Sequence, residues 1–594
     1  MDRQEKISSI VKNIILPVLI PAAIMYLFEA YTHNPFVRMK PGIQVLNIFL
    51  FILIECFLYF LTGRLKTALR IMCIFFMILG LAEYYLVEFR GVTLLPWDIG
   101  SLGTAAEVAS GYSYVPSLRA ILCIIGFIIL FILCHFASLS IRGKLMIRIA
   151  GMFLSAVFIT LYSLFVQTSF AEKTFGFYTK LFTPTAISER DGTLTAFLME
   201  LQYMNVKKPE GYSPDEAEKL LSSYAPVDAS EEKANIIVIM NEAFSDLSVL
   251  GAFETNEDYM PFVHSLQKSE DNVVTGELNV SIVGGNTPNT EFEFLTGDSL
   301  AFLPEGSIPY QQYVSEGIYA MPSYLKEQGY TTVGMHPYYA AGWERDRVYP
   351  ELGFERSMFI DDFDKGSEKI RGYISDMACS KQIIKEYEDN IDSGKPFFSF
   401  LVTMQNHSPY EGKEGMPQDI SVINDHKLKG QDNTERYLSL IKRSDEALEY
   451  LTEYFSDVDE PTLIVMFGDH QPSDSVVRPV FRIAGKDPGA LGEEDVEQRY
   501  VVPYVIWANY DIGSRHELNT SANLLGNEVL RLAGAGLYPY RAFLEEFKTK
   551  YPVFSAVRII DDAGRLVSLK EAEKEPVTDN YRKLQYYELF DKDR

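Results

Sequence analysis

The chain is poor in cysteine, with five in 594 residues. Cys56, Cys73, Cys123 and Cys134 lie inside apolar runs, which leaves Cys379 alone in the polar remainder. One thiol closes no disulfide within that part, and no Cys-x-x-Cys or Cys/His zinc spacing occurs, so a disulfide scaffold and a structural zinc module are both excluded. A large exported domain without disulfides is commonplace in bacteria. Glycine patterns of the Walker or Rossmann kind do not precede a suitable helix, and no internal repeat or low-complexity tract stands out. Basic charge is also scarce in the back of the chain. Up to Gln167 there are 13 Lys/Arg and 8 Asp/Glu; after it there are 41 against 72, a net −31. So acidic a part cannot neutralise phosphate backbones, and nucleic acid is excluded as the leading partner.

Apolar length, by contrast, is abundant at the front. Crossing about 30 Å of hydrocarbon takes roughly 20 helical residues, and five runs qualify: Ile14–Tyr31, Ile43–Thr62, Ile71–Val87, Ala120–Ala137 and Ile149–Gln167. Arg3, Lys6 and Lys12 precede the first, Arg64, Lys66 and Arg70 follow the second, and Arg142, Lys144 and Arg148 follow the fourth. The positive-inside rule makes these three segments cytoplasmic, which puts the N-terminus inside and everything after Gln167 outside. The expectation is a five-helix transmembrane domain over residues 1–168 and an extracellular linker with a helix at Ser213–Ser223 over 169–232. A catalytic domain follows over 233–550, then a C-terminal extension over 551–594. Glu29, Glu55 and Glu83 fall within or beside the spans, where interhelical hydrogen bonding or snorkelling is favoured over a headgroup path.

Beyond Glu232, β-rich apolar runs alternate with helical patterns. Strands are expected at Asn235–Met240, Thr331–Met335, Phe397–Thr403, Thr462–Phe467 and Val501–Trp507, and helices at Ser380–Ile391, Asn433–Phe455 and Ala522–Leu532. Runs apolar on both faces and separated by helices predict an α/β domain with a mostly parallel sheet. Ligands in such sheets gather beyond the carboxyl ends of strands. Glu242, His336, Asn406-His407 and Asp469-His470 each stand just after a strand. One Glu or one His there is an ordinary structural residue; four such positions after four strands predict a shared site. Their oxygen and nitrogen donors suit Mn²⁺ or Zn²⁺ better than a thiolate-loving metal.

A further segment, Val283-Gly284-Gly285-Asn286-Thr287-Pro288-Asn289-Thr290-Glu291-Phe292, offers a nucleophile. Its glycines permit a tight turn, and Thr287 would open the following helix. A threonine hydroxyl is weak at neutral pH and gains from metal coordination. An N-cap role for Thr287 fits the same sequence equally well.

Taken in order, Glu242, Thr287, His336, Trp343-Glu344-Arg345, Asn406-His407-Ser408-Pro409 and Asp469-His470 resemble the lipoteichoic acid synthase family of the alkaline phosphatase/sulfatase superfamily. The resemblance covers nearly the whole chain. It implies an extracellular alkaline-phosphatase/sulfatase-like domain on a bacterial membrane anchor, with one divalent metal, Mn²⁺ first and Zn²⁺ or Mg²⁺ as alternatives. The implied ligands are Glu242, Thr287, Asp469 and His470. Thr287 is the implied nucleophile, His407 a catalytic and substrate-contacting group, and His336, Trp343 and Arg345 substrate contacts. Phosphatidylglycerol is the implied donor, and a hydroxyl of an envelope glycolipid, polymer or glycan the acceptor. A phosphoethanolamine or phosphoglycerol transferase acting on another envelope lipid or glycan is the alternative. Two departures stand out: the family's Gly-Lys-Thr-Ser-Asp-x-Glu-Phe has Asn286 in place of its lysine and Pro288-Asn289 in place of Ser-Asp. The Cys/Ser-x-Pro-x-Arg needed for formylglycine formation is not met at Thr287, which disfavours sulfate-ester hydrolysis. A non-catalytic sensor with a degenerate site would lack ligands that are all present here.

Overall fold

The computed structural model describes residues 15–90, 93–99, 115–141, 143–178, 184–203, 206–304, 306–314, 317–340, 342–412, 415–424 and 426–592. They form two compact units, one holding the described residues up to 203 and the other those from 206 onward.

The first unit is a helical bundle. Four of its helices are long and apolar enough to cross a membrane: Pro41–Thr62, Leu65–Glu88, Leu118–Phe136 and Leu145–Val166. The first of the five expected spans is represented by a shorter apolar helix, Leu16–Glu29; Ile14, at its expected start, lies outside the described residues. Large apolar side chains face outward from the bundle, Phe153 at 72% exposure among them, as a hydrocarbon solvent requires. The chain is therefore membrane-anchored.

Two carboxylates in this unit serve structure. Glu29 accepts hydrogen bonds from the Thr193 amide at 3.0 and 3.1 Å and from its hydroxyl at 2.9 Å. Thr193 opens the helix Thr193–Glu200, so the carboxylate satisfies an N-terminal amide with no helical partner. Glu83 accepts from the Leu94 amide at 2.7 Å and from the Thr93 hydroxyl. Interhelical bonding, one of the two expected roles, accounts for Glu29, whereas Glu83 bonds to the non-helical segment that follows its own helix.

The second unit is built on an eight-stranded sheet. Its strands are β1 (Asn235–Asn241), β2 (Val273–Asn279), β3 (Thr331–Met335), β4 (Arg356–Met358), β5 (Phe397–Val402), β6 (Thr462–Gly468), β7 (Val501–Ala508) and β8 (Arg515–Ser521). Their spatial order is β8-β2-β7-β6-β1-β5-β3-β4. Strands β6, β1, β5, β3 and β4 run parallel in sequence, and β7 is antiparallel to both its neighbours. The mostly parallel sheet matches the expectation. Every residue of β1, β5 and β6 is buried, which is why these strands read as unbroken apolar runs rather than alternating ones. Helices Asp376–Ile391 and Gln431–Ser456 cover one face, their buried Ile383, Leu440 and Leu448 joining β1 and β5 side chains in a single core.

The connector expected over 169–232 is divided between the units. Its helix Pro214–Ser222, N-capped by the Ser213 hydroxyl, belongs to the second. The C-terminal helix Pro576–Phe590 packs against that unit too, and its buried Tyr581 hydroxyl donates to the Gly297 carbonyl at 2.6 Å.

On the same unit His264 lies between Asp246 and Asp258, with Nδ1 2.9 Å from Asp258 and Nε2 3.5 Å from Asp246. The hydrogen bond with Asp246 is the main cause that raises the imidazole to about 9 from 6.5, against the lowering effect of its burial. A raised folded-state pKa stabilises fully below the unfolded value and loses that contribution as pH climbs through the folded one. Thermal stability of the chain is thus expected to fall between about pH 6.5 and 9 through this group. His264→Ala should flatten that part of a melting-temperature profile.

Candidate functional site

Two strand ends create the centre of the site. The chain leaves β1 at Asn241 and places Glu242 directly beyond it; it leaves β6 at Gly468 and places Asp469 and His470 beside Glu242, because β1 and β6 are parallel neighbours in register from Asn235 with Thr462 to Asn241 with Gly468. Gly468 is dictated by the crossing: a Cβ there would lie 1.9 Å from the Phe244 carbonyl oxygen. Glu242, Asp469 and His470 are all buried, and each brings a ligand atom to within 4.8 Å of the others. The sequence-predicted trio is brought together.

Thr287 completes the group. The preceding turn runs through Gly284 at φ 72° and Asn286 at φ 65°. Asparagine tolerates the left-handed region far better than lysine does, which gives a backbone reason for Asn286 where the family carries its lysine. Pro288 then occupies the first helical position, where its fixed φ is preorganised and its missing amide costs nothing. The helix Pro288–Thr296 is buried along its whole length. Thr287 makes no side-chain cap to it; the hydroxyl instead donates to Glu242 Oε2 at 3.3 Å. Of the two readings of Thr287, the capping one is not realised.

Hydrogen bonds to neighbouring backbone groups fix these side chains. His470 Nδ1–H donates to the Gln471 carbonyl at 2.9 Å, which aims Nε2 into the cluster. Asp469 Oδ1 accepts from the amides of Ala243 at 2.7 Å and His470 at 2.8 Å. The atoms left over are Asp469 Oδ2 and His470 Nε2, 3.2 Å apart, buried and without a hydrogen-bond partner among the described residues. Burial, then the nearby Asp469 carboxylate, push the Glu242 carboxyl well above its ordinary range. Two buried carboxylates and an unpartnered imidazole nitrogen converging on one point are what a cation site looks like without its charge, so the residues present fit a divalent metal. Carboxylate, imidazole and hydroxyl donors suit Mn²⁺, Zn²⁺ or Mg²⁺.

Behind the cluster lies a buried polar network that the sequence reading missed. Asn241 Nδ2 donates to Asp376 Oδ2 at 2.7 Å, and the Ser444 hydroxyl donates to the same oxygen at 2.6 Å. Asn406 Nδ2 donates to Asn241 Oδ1 and to Ser444 Oγ, both at 2.9 Å. The network ties the residue before Glu242 to the residue before His407. His407 is half-buried, and its Nδ1–H donates to the Ser408 carbonyl at 2.7 Å. Arg371, also missed, donates to the carbonyls of Pro409 at 2.6 Å, Gln405 at 2.9 Å and His407. Arg371 and Asp376 follow only the two-residue strands Lys369–Ile370 and Tyr373–Ile374, outside the main sheet and too short to leave an apolar run, so no local signal marked them.

His336 follows β3 and donates from Nδ1 to the Val402 carbonyl of β5 at 3.0 Å. Burial first, then Arg345, hold its imidazole well below the ordinary value, so it is neutral at physiological pH. Trp343 and Glu344 occupy consecutive left-handed positions at φ 58° and 57°. A bulky residue rarely adopts that conformation outside sites that demand it. Arg345 is buried against Glu291: Nε lies 3.2 Å from both carboxylate oxygens and Nη2 bonds Oε1. Tyr349 and Tyr310 donate to Glu291 Oε2 at 3.0 and 3.3 Å. The guanidinium expected to contact substrate is thus neutralised by a carboxylate on the Thr287 helix, and it fixes that helix in place. Glu291→Gln would leave a buried guanidinium without its counter-charge, at a cost of about 3–5 kcal/mol. A clear drop in melting temperature of the full-length protein checks this.

Comparison with known proteins places these features in a family. The pattern of the family described as Sulfatase matches residues 234–535. A putative cyclic β-1,2-glucan modification protein of Rhizobium meliloti (strain 1021) is 31% identical over 412 residues, 68% of this chain and 62% of that protein. Lipoteichoic acid synthase 1 of Bacillus subtilis (strain 168) is 29% identical over 271 residues, 43% of this chain and 39% of that protein. This chain therefore spans about three fifths of the first relative's length and two fifths of the second's. Among solved structures, the Streptococcus pyogenes phosphoglycerol transferase GacH in complex with sn-glycerol-1-phosphate aligns at a TM-score of 0.49 and 20% identity, covering 64% of this chain and 94% of that one.

Proposed function

The chain belongs to the sulfatase family, and from that premise we propose that it is a membrane-anchored glycerophosphotransferase of the lipoteichoic acid synthase type. It moves glycerol phosphate from phosphatidylglycerol to a hydroxyl of an envelope polymer, glycolipid or glycan, and its catalytic unit lies outside the cell. The observation that carries this reading is the Thr287 hydroxyl directed at a buried Glu242–Asp469–His470 cluster.

In this reading Glu242, Asp469, His470 and Thr287 hold one divalent metal, Mn²⁺ first with Zn²⁺ or Mg²⁺ as alternatives. Bound there, it supplies positive charge that lowers the pKa of the hydroxyl and offsets charge on the phosphate. Thr287, its hydroxyl proton released to solvent beforehand, attacks phosphorus through Oγ1 as the alkoxide, and the bond from phosphorus to the diacylglycerol oxygen breaks. His407, with Nδ1 turned to the Ser408 carbonyl, gives a proton to the departing oxygen through Nε2. Diacylglycerol leaves, and glycerol phosphate stays esterified to Thr287. An acceptor hydroxyl then attacks phosphorus as its proton passes to His407, and the bond to Oγ1 breaks. Neutral His336 and Trp343 contact the glycerol. Arg345 acts chiefly by holding the Thr287 helix through Glu291, which leaves Nη1, 3.4 Å from the Gly342 carbonyl, for a phosphate oxygen.

Purified protein incubated with labelled phosphatidylglycerol and Mn²⁺ tests the reading. Release of diacylglycerol is expected; release only from a phosphoethanolamine lipid run in parallel would favour the phosphoethanolamine transferase alternative.

A further inference from the structure

Tyrosine rings link His336 to His407, and the mechanism above uses none of these tyrosines. The Tyr338 ring lies 6.2 Å from His336 and 6.0 Å from Tyr373, and Tyr373 lies 6.0 Å from His407, between centroids. Tyr339 meets Tyr338 edge-on at 4.7 Å and is 47% exposed. The row therefore joins two proposed substrate contacts, and Tyr339 carries it out to solvent. Resting on the phosphotransferase reading, we propose that Tyr338, Tyr339 and Tyr373 form the acceptor subsite, and that the acceptor is a neutral sugar ring of a glycan.

Three observations favour that ligand. Half-exposed aromatic faces carry the negative side of the ring quadrupole, which suits the weakly positive C–H face of a pyranose, and tyrosine adds a polar tip for its hydroxyls. A chain of glycerol phosphates, by contrast, is a polyanion and calls for uncommitted cations. The guanidinium groups around the site are committed to protein acceptors, save for Arg345 Nη1, which the donor phosphate takes. Arg345 is held by Glu291, Arg371 by the carbonyls of the His407 loop, and Arg347 by Glu344, Glu351 and the carbonyls of Val314 and Tyr310. An ammonium headgroup is disfavoured for the opposite reason: the Arg371 guanidinium already lies 5.4 Å from the Tyr373 ring centroid and repels a second cation.

Saturation-transfer NMR and calorimetry on the full-length protein in detergent test the proposal without requiring turnover. The probes are neutral oligosaccharides of glucose, galactose, rhamnose and N-acetylglucosamine, a short polyglycerol phosphate, and phosphoethanolamine. At least one neutral oligosaccharide is expected to bind with transfer to its ring protons. Tyr339→Ala should weaken that binding about tenfold or more, and Tyr339→Phe, which keeps the ring, should restore most of it. The proposal is overturned if no neutral oligosaccharide binds, if Tyr339→Ala binds as wild type does, or if only the polyanion or the ammonium compound depends on Tyr339. Diacylglycerol release from phosphatidylglycerol is scored separately, so a failure of the donor reading remains distinguishable from a failure of the acceptor subsite.

Discussion

Thr287→Ala is expected to lower diacylglycerol release from phosphatidylglycerol by about 10⁴-fold or more, because a covalent route loses its first bond-forming atom. The fold should be little affected. Thr287 makes no side-chain cap to its helix, and its one recorded side-chain hydrogen bond goes to Glu242. That helix is held elsewhere: Arg541 donates to the carbonyls of Phe294 and Leu295 at 2.9 and 3.1 Å, and Gln585 exchanges hydrogen bonds with Ser299 just beyond it. An unchanged melting temperature beside lost turnover therefore separates chemistry from folding. Thr287→Ser, which keeps the hydroxyl, should retain a measurable part of the rate.

The second large effect concerns the cation. Chelation should abolish turnover and Mn²⁺ should restore it, and the metal should also be visible in stability. A ligand that binds only the folded state at a hundred times its dissociation constant adds about 2.7 kcal/mol. Melting temperature should accordingly rise on Mn²⁺ addition. Asp469→Asn should lose most of that rise, because the unpartnered Oδ2 is the atom replaced while an amide oxygen can still accept from Ala243 and His470. In the chelated state the same variant should be no less stable than wild type, since it removes a charge buried beside Glu242. A Mn²⁺-induced shift of equal size in Asp469→Asn would remove Asp469 from the ligand set.

The parts of this architecture that the sequence announces share one property: burial on both faces. Five strands appear as apolar runs, and all five lie in the interior of the sheet. The missed strands are those whose sequence carries no such run. Arg515–Ser521 is a polar edge strand whose first five residues alternate between exposed and half-buried, Arg356–Met358 is three residues long, and Val273–Asn279 is broken by Gly276 and Glu277. Residues directly after central strands were legible for the same reason, because the strand signal located them. Glu291, Arg371 and Asp376 were not, since each acts on another site residue across the fold and its own neighbourhood looks ordinary. The two readings of Thr287 could be separated only by the direction of its side chain, which depends on how β1 and the Thr287 helix meet.

The proposed reaction requires a phosphoester at Thr287. Full-length protein incubated with phosphatidylglycerol and Mn²⁺, without acceptor, then acid-quenched and digested, should yield the Thr287 peptide carrying one glycerophosphoryl group, and chelator should prevent its formation. Diacylglycerol release with that peptide unmodified throughout, or with the group on another residue, would contradict it.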